Sequence, residues 1–251
     1  MYKITLQYNG IQKKVSWNPK RHRGQTVNLS AAEISSWPIV EDQVRGYYKI
    51  NTPTQWVTVS PNQIKKDTLI FRLALIVESP HKAEFDSIFN PLNPLNGTSG
   101  TKFANDIYAR LNTWLQNVNI ENQIVEVKII NPICYQTSLY HFLNNMIPYN
   151  NHQSGNIGYT RINKTLRNKV WDFLFNTCSL KTDFIKALQN YSPDFIVNCC
   201  TGTVVTPPIT QASCQGSKPK DYVRLELLNN TLIKTNNGVF NYFEDNHPST
   251  W

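Results

Sequence analysis

The chain has no apolar run near the roughly 20 residues of a membrane-crossing helix. Its opening, MYKITLQYNG, lacks the basic start, apolar middle and cleavage site of a secretory signal. A cytoplasmic location with no membrane partner is therefore expected. Cysteine occurs five times, at Cys134, Cys178, Cys199, Cys200 and Cys214, with no C-x-x-C pair and no histidine at ligand spacing. That pattern argues against a disulfide framework and against a metal site, and no metal is expected. Cys199 and Cys200 close the apolar stretch DFIVNCC, where a reduced thiol behaves as a small hydrophobe. Residues 1–67 hold no repeat and no low-complexity tract. Acidic residues are scarce near the start: residues 1–70 hold 10 Lys and Arg against 4 Asp and Glu, while residues 71–251 hold 15 against 13. A basic surplus gathered at one end favours a polyanionic partner, with NPKRHRGQ (Lys20, Arg21, Arg23) as its densest part; a solvated basic loop is the plainer alternative.

What is present divides the chain in two. Residues 1–67 read as short strands and turns: YKITLQY and WVTVS are rich in β-branched and aromatic residues, and YNG is a turn signal. SAAEISSW begins with a helix cap and is expected to form one short helix. This part is expected to be a small, basic, β-rich accessory module. From residue 68 onward, short apolar runs alternate with helical periods. The runs are LALIV (73–77), VEVKII (125–130), FIVNCC (195–200) and VFNYF (239–243). In GTKFANDIYARLNTWLQNV, Phe103, Ile107, Leu111 and Leu115 recur at helical spacing, and NKTLRNKVWDFLFNTC, TDFIKALQNY and PKDYVRLELLNN also read as helices. Alternation with connections this long predicts an α/β fold: a layered αβα domain over 68–251 with a short parallel central sheet.

Each apolar run ends in polar residues. The first meets Glu78-Ser79-Pro80-His81, the second Asn131-Pro132, the third Thr201-Gly202-Thr203, and the fourth is followed by His247-Pro248-Ser249-Thr250. Ligands of open parallel sheets bind outside the carboxyl ends of the strands. A carboxylate, an amide and an imidazole are thus expected to face one crevice. Each also has a plainer role: Glu78 as the cap of a following helix, Asn131-Pro132 as a turn, His247 as a surface residue.

VESP followed by PLNGTSG (94–100), INP, CCTG and HPST, in that order, resembles the uracil-DNA glycosylase superfamily over about residues 70–251. It is most similar to the branch whose first motif reads G-E-x-P-G. The resemblance implies a DNA partner, no cofactor, a monomer, and cleavage of an N-glycosidic bond in a flipped-out nucleotide. It implies that Glu78 and His247 are catalytic and that Asn131 reads the base through its amide. Ser79, Pro80 and Ser249 would lie against the DNA backbone, with Lys20, Arg21 and Arg23 adding phosphate contacts. The chemistry suits these types: an acid stabilises the sugar cation and orients water, while an amide and an imidazole bind the leaving base.

The sequence departs from the branch pattern at Val77 and His81, which replace glycines, and at Leu95, which replaces the aromatic that stacks on the base. The iron–sulfur cysteines of that branch are absent, and the loop from Pro80 to Pro94 is longer. Either Phe85 or Phe89 supplies the stacking ring, or the pocket around Leu95 is wider and takes a bulky modified pyrimidine. The expected activity is that of a monofunctional DNA glycosylase acting on hydroxymethylated or glucosylated cytosine of phage DNA. A uracil-excising repair enzyme and a non-catalytic nucleic-acid binder are the alternatives.

Overall fold

Asn9 and Gly10 both take positive φ, 46° and 82°. This is the type I′ geometry that Asn-Gly reaches at low cost, and its twist matches that of paired strands. The turn joins β1 (Tyr2–Tyr8) to β2 (Ile11–Trp17), antiparallel from Tyr8↔Ile11 to Tyr2↔Trp17. β3 (Val27–Glu33) lies parallel to β1 on its other side, giving a three-stranded sheet. The helix expected at SAAEISSW is therefore not formed: its first residues complete β3, and Ile34–Ser36 make a single 3-10 turn. Pairing with β1 outweighs the local cap signal, and Glu33 caps the turn by accepting from Ser35 N–H at 3.2 Å.

The computed structural model describes residues 2–17, 27–52, 55–80, 82–86, 90–135, 167–236 and 238–251. The main sheet has six strands, β4 (Gln43–Thr52), β5 (Gln55–Val59), β6 (Ile70–Ile76), β7 (Ile124–Ile130), β8 (Phe195–Asn198) and β11 (Tyr242–Glu244), in the order β11-β8-β6-β7-β4-β5. β11, β8, β6 and β7 run parallel, while β4 and β5 add an antiparallel hairpin beside β7. Residues 43–59, grouped by composition with the N-terminal part, thus hydrogen-bond into the main sheet. Composition carries no information about which edge a strand will join. VFNYF is also divided: β9 (Thr235–Asn236) and β10 (Val239–Phe240) form a separate hairpin, and β11 alone enters the sheet.

The apolar runs are continuous because both faces of the sheet are covered. Leu73, Leu75 and Val77 pack with Phe103, Ile107 and Leu111 of α1 (Gly97–Trp114). Ala74 and Ile76 alternate to the other face, against Trp171, Phe173, Leu188 and Val223. Those residues come from α2 (167–177, whose segment Phe173–Thr177 is π-helical), α3 (Leu180–Tyr191) and α4 (Pro219–Asn229). Ile4, Leu6, Val15 and Ile34 of the small sheet join this second core. The result is three layers around a mostly parallel sheet, with one end of that sheet carrying all four polar exits.

Candidate functional site

The chain passes from β6 to its neighbour β7, then crosses back to β8 on the other side of β6. Such a reversal leaves a crevice at the carboxyl ends of the two central strands. Across this end the exits lie in the order Asn131, Glu78, Thr201, His247, following β7, β6, β8 and β11. β7 is one strand spacing from β6, about 5 Å, and β11 is two, about 10 Å.

Glu78 is 3% exposed. Its Oε2 accepts from Thr201 N–H at 3.0 Å, so the loop after β8 closes over the carboxylate. Arg167 Nη2 lies 2.9 Å from Oε1, but off the N–H axis, giving an ion pair without an aligned hydrogen bond. Trp171 Nε1 donates to the Glu78 carbonyl at 2.9 Å. Among the described residues the Glu78 carboxylate is met by the loop after β8 and by α2, not by the turn that follows it in sequence.

Asn131 is 6% exposed, and neither its Oδ1 nor its Nδ2 has a hydrogen-bond partner among the described residues. Its backbone N–H donates to Asp42 Oδ1 at 3.1 Å. Asp42 reaches this place because residues 39–42 run beside the β7 exit, with Val40 N–H donating to the Cys134 carbonyl at 3.0 Å and Ile39 bridging Tyr135. Burial pushes the Asp42 carboxyl up, against the Asn131 N–H and the Lys128 charge. Burial, and then the charge of Glu78, also pushes the Cys200 thiol well up.

His247 is half-buried, and its carbonyl accepts from Thr250 N–H at 2.8 Å within the turn Pro248–Thr250. That turn is fastened to α1: Trp251 stacks on Phe103 with ring centres 6.2 Å apart, Arg110 lies 4.9 Å over the Trp251 ring, and Lys102 Nζ donates to the Trp251 carbonyl at 2.7 Å. Ser79 is half-buried and Pro80 buried beside Glu78. Leu95, 1% exposed with φ of 52°, packs in the α1-side core. Phe85 is buried and belongs to neither core cluster; it bridges Pro91 in the loop before α1. Phe89, His81, Lys20, Arg21 and Arg23 lie outside the described residues, as does the side chain of Ser249.

The loop that brings Thr201 to Glu78 is held by Arg224, a buried residue not singled out from the sequence. All five guanidinium N–H groups are used. Nε and Nη2 grip Glu244 at 2.6 and 2.8 Å, Nη1 donates to Asp221 Oδ1 and the Ser213 carbonyl at 3.1 and 2.5 Å, and Nη2 also reaches the Thr203 carbonyl at 2.9 Å. Glu244 Oε2 accepts from Val205 N–H at 2.8 Å. Lys220, fully buried, donates to the Asp245 carbonyl. Gly202 is needed above it, because a Cβ there would sit 2.5 Å from Lys220 Cβ.

Arg167, Trp171, Asp42 and Arg224 were not named as site residues by motif. Arg167 and Trp171 carried a usable signal, an i,i+4 pair on one predicted helix; Asp42 carried none, because its place depends on β4 pairing with β7. A groove of about 630 Å³ lies instead along the sheet and α3, lined by Ile70, Arg72, Glu126, Lys128 and Tyr191 among others. None of its lining residues carries a buried unpaired polar atom, so the strand exits are the stronger site. Among the described residues no cluster of His, Cys, Asp and Glu could hold a metal ion. Comparison with protein-family models, with curated proteins and with solved structures finds no match.

Proposed function

We propose that the protein is a monofunctional DNA glycosylase that hydrolyses the N-glycosidic bond of a flipped-out pyrimidine and leaves an abasic site. Hydroxymethylated or glucosylated cytosine is the expected base, and defence against phage DNA the expected purpose. One observation carries the reading: Asn131, buried with neither amide atom paired among the described residues, leaves the strand next to the one that Glu78 leaves. Leaving a buried polar atom unsatisfied costs roughly 1–3 kcal/mol, and a ligand with matching groups removes that cost. The polar edge of a pyrimidine offers a donor and an acceptor side by side. As the base departs, Glu78 stabilises the sugar cation and orients water, and His247 hydrogen-bonds the leaving oxygen. The motif order along residues 70–251 and the basic surplus of residues 1–70 support a DNA substrate.

Uracil excision in repair is the second reading. It is favoured by Phe85, a buried ring outside both cores and placed in the loop before α1, which is suited to stack on an unmodified pyrimidine. The test uses end-labelled DNA carrying uracil, hydroxymethylcytosine, its glucosylated form or cytosine, treated with protein and then hot alkali. Breakage is expected at a modified cytosine, falling by about 10²-fold or more in Glu78→Gln and sharply in Asn131→Ala. Breakage at uracil alone would favour repair. Intact strands with retained DNA binding would leave a non-catalytic binder.

A further inference from the structure

Glu78 is held from three sides. Trp171 takes its carbonyl at 2.9 Å, Thr201 N–H takes Oε2 at 3.0 Å, and Arg167 meets Oε1 at 2.9 Å. Arg167 and Trp171 are four residues apart on α2, so one face of that helix grips both the backbone and the side chain of the same residue. An arginine that merely neutralises a buried acid favours the parallel fork, two N–H groups on two oxygens. Here Thr201 occupies one oxygen and the guanidinium meets the other singly. Its Nε is buried with no partner among the described residues, and the side chain is 34% exposed. One hydrogen bond from the loop after β8 and one ion pair from α2 therefore hold the two carboxylate oxygens apart, and rotation about its last bond would break the first and lengthen the second.

We propose that Arg167 is a positioning residue that fixes the plane of the Glu78 carboxylate at the strand exits for reaction. This rests on Glu78 being the reacting carboxylate. Misplacing a reacting group by 1 Å costs about 10²-fold in rate, so Arg167→Ala is expected to lower kcat by roughly 10–100-fold with KM little changed. Added guanidinium should restore part of the rate. Arg167→Lys keeps the charge but replaces the broad, planar guanidinium by a compact ammonium, and is expected to melt like the parent yet regain only part of kcat.

A second measurement needs no activity. Hydrogen exchange of the Thr201 amide, read by NMR, is expected to quicken about tenfold in Arg167→Ala as its acceptor swings away. The Cys200 amide, bonded to Asn198 Oδ1 at 3.1 Å, serves as the unchanged reference. Parental Thr201 exchange in both variants overturns the proposal whether or not the parent cleaves DNA, and Arg167→Lys alone decides it should Arg167→Ala fail to fold. A parent silent on every base, with Thr201 exchange quickened in the variant, sinks the glycosylase reading and leaves the Arg167 contact standing.

Discussion

Asp42 places a second carboxyl beside the Asn131 backbone, whose N–H donates to its Oδ1. Burial raises the Asp42 carboxyl above its ordinary value. Below about pH 3.9, the ordinary aspartate value, the group is protonated in folded and unfolded chains alike. As pH rises, the unfolded chain loses the proton first, so the stability that the protonated form contributes is lost up to the raised folded value. Asp42→Asn carries no charge at any pH. Its Tm is expected to exceed the parent's by a few degrees at pH 7, with the difference closing near pH 4. Thermal melts across that range check this, and a constant difference would show that charge burial is not the cause. None of this is visible in the motif order, which singles out Glu78 and Asn131 because each follows an apolar run directly, and His247 because it follows the fourth run after Glu244-Asp245-Asn246. A residue that reaches the site from a neighbouring strand leaves no such trace.

The strands β6, β7 and β8 are legible because burial on both faces makes them uninterrupted apolar runs, and α1 because Phe103, Ile107 and Leu111 repeat at helical spacing. The segment at SAAEISSW is not, because its cap signal is local while its pairing with β1 is not. The loop after β8 is harder still: its shape depends on Arg224, which reads as one cation on an amphipathic helix. Removing that cation leaves Glu244 charged and buried, so Arg224→Met is expected to destabilise by about 3–5 kcal/mol. Replacing both, as Arg224→Met with Glu244→Leu, should recover part of the loss, since the charge left unpaired is the larger cost. Urea denaturation of the two variants distinguishes this from simple loss of packing.

Compositional division after residue 67 conflicts with how the layers are built. β4 covers one edge of β7, and Tyr48 and Trp56 of the β4–β5 hairpin belong to the α1-side core. Ile4, Leu6 and Val15 belong to the opposite core. A fragment of residues 68–251 is expected to aggregate rather than fold, because it exposes β7 as an edge and opens both cores. Size-exclusion chromatography with circular dichroism tests this, and a monomeric, native-like fragment would show that residues 1–67 are an accessory after all. The buried Arg224–Glu244 pair has one more consequence, in the order of synthesis. On the ribosome β6 and β7 emerge early and bring Glu78 and Asn131 together, while α4 presents Arg224 before β11 supplies Glu244. Until then the guanidinium must stay in water, and the loop bearing Thr201 has no anchor. A nascent chain stalled short of residue 244 therefore carries Glu78 and Asn131 without the anchored loop that brings the Thr201 N–H to the Glu78 carboxylate.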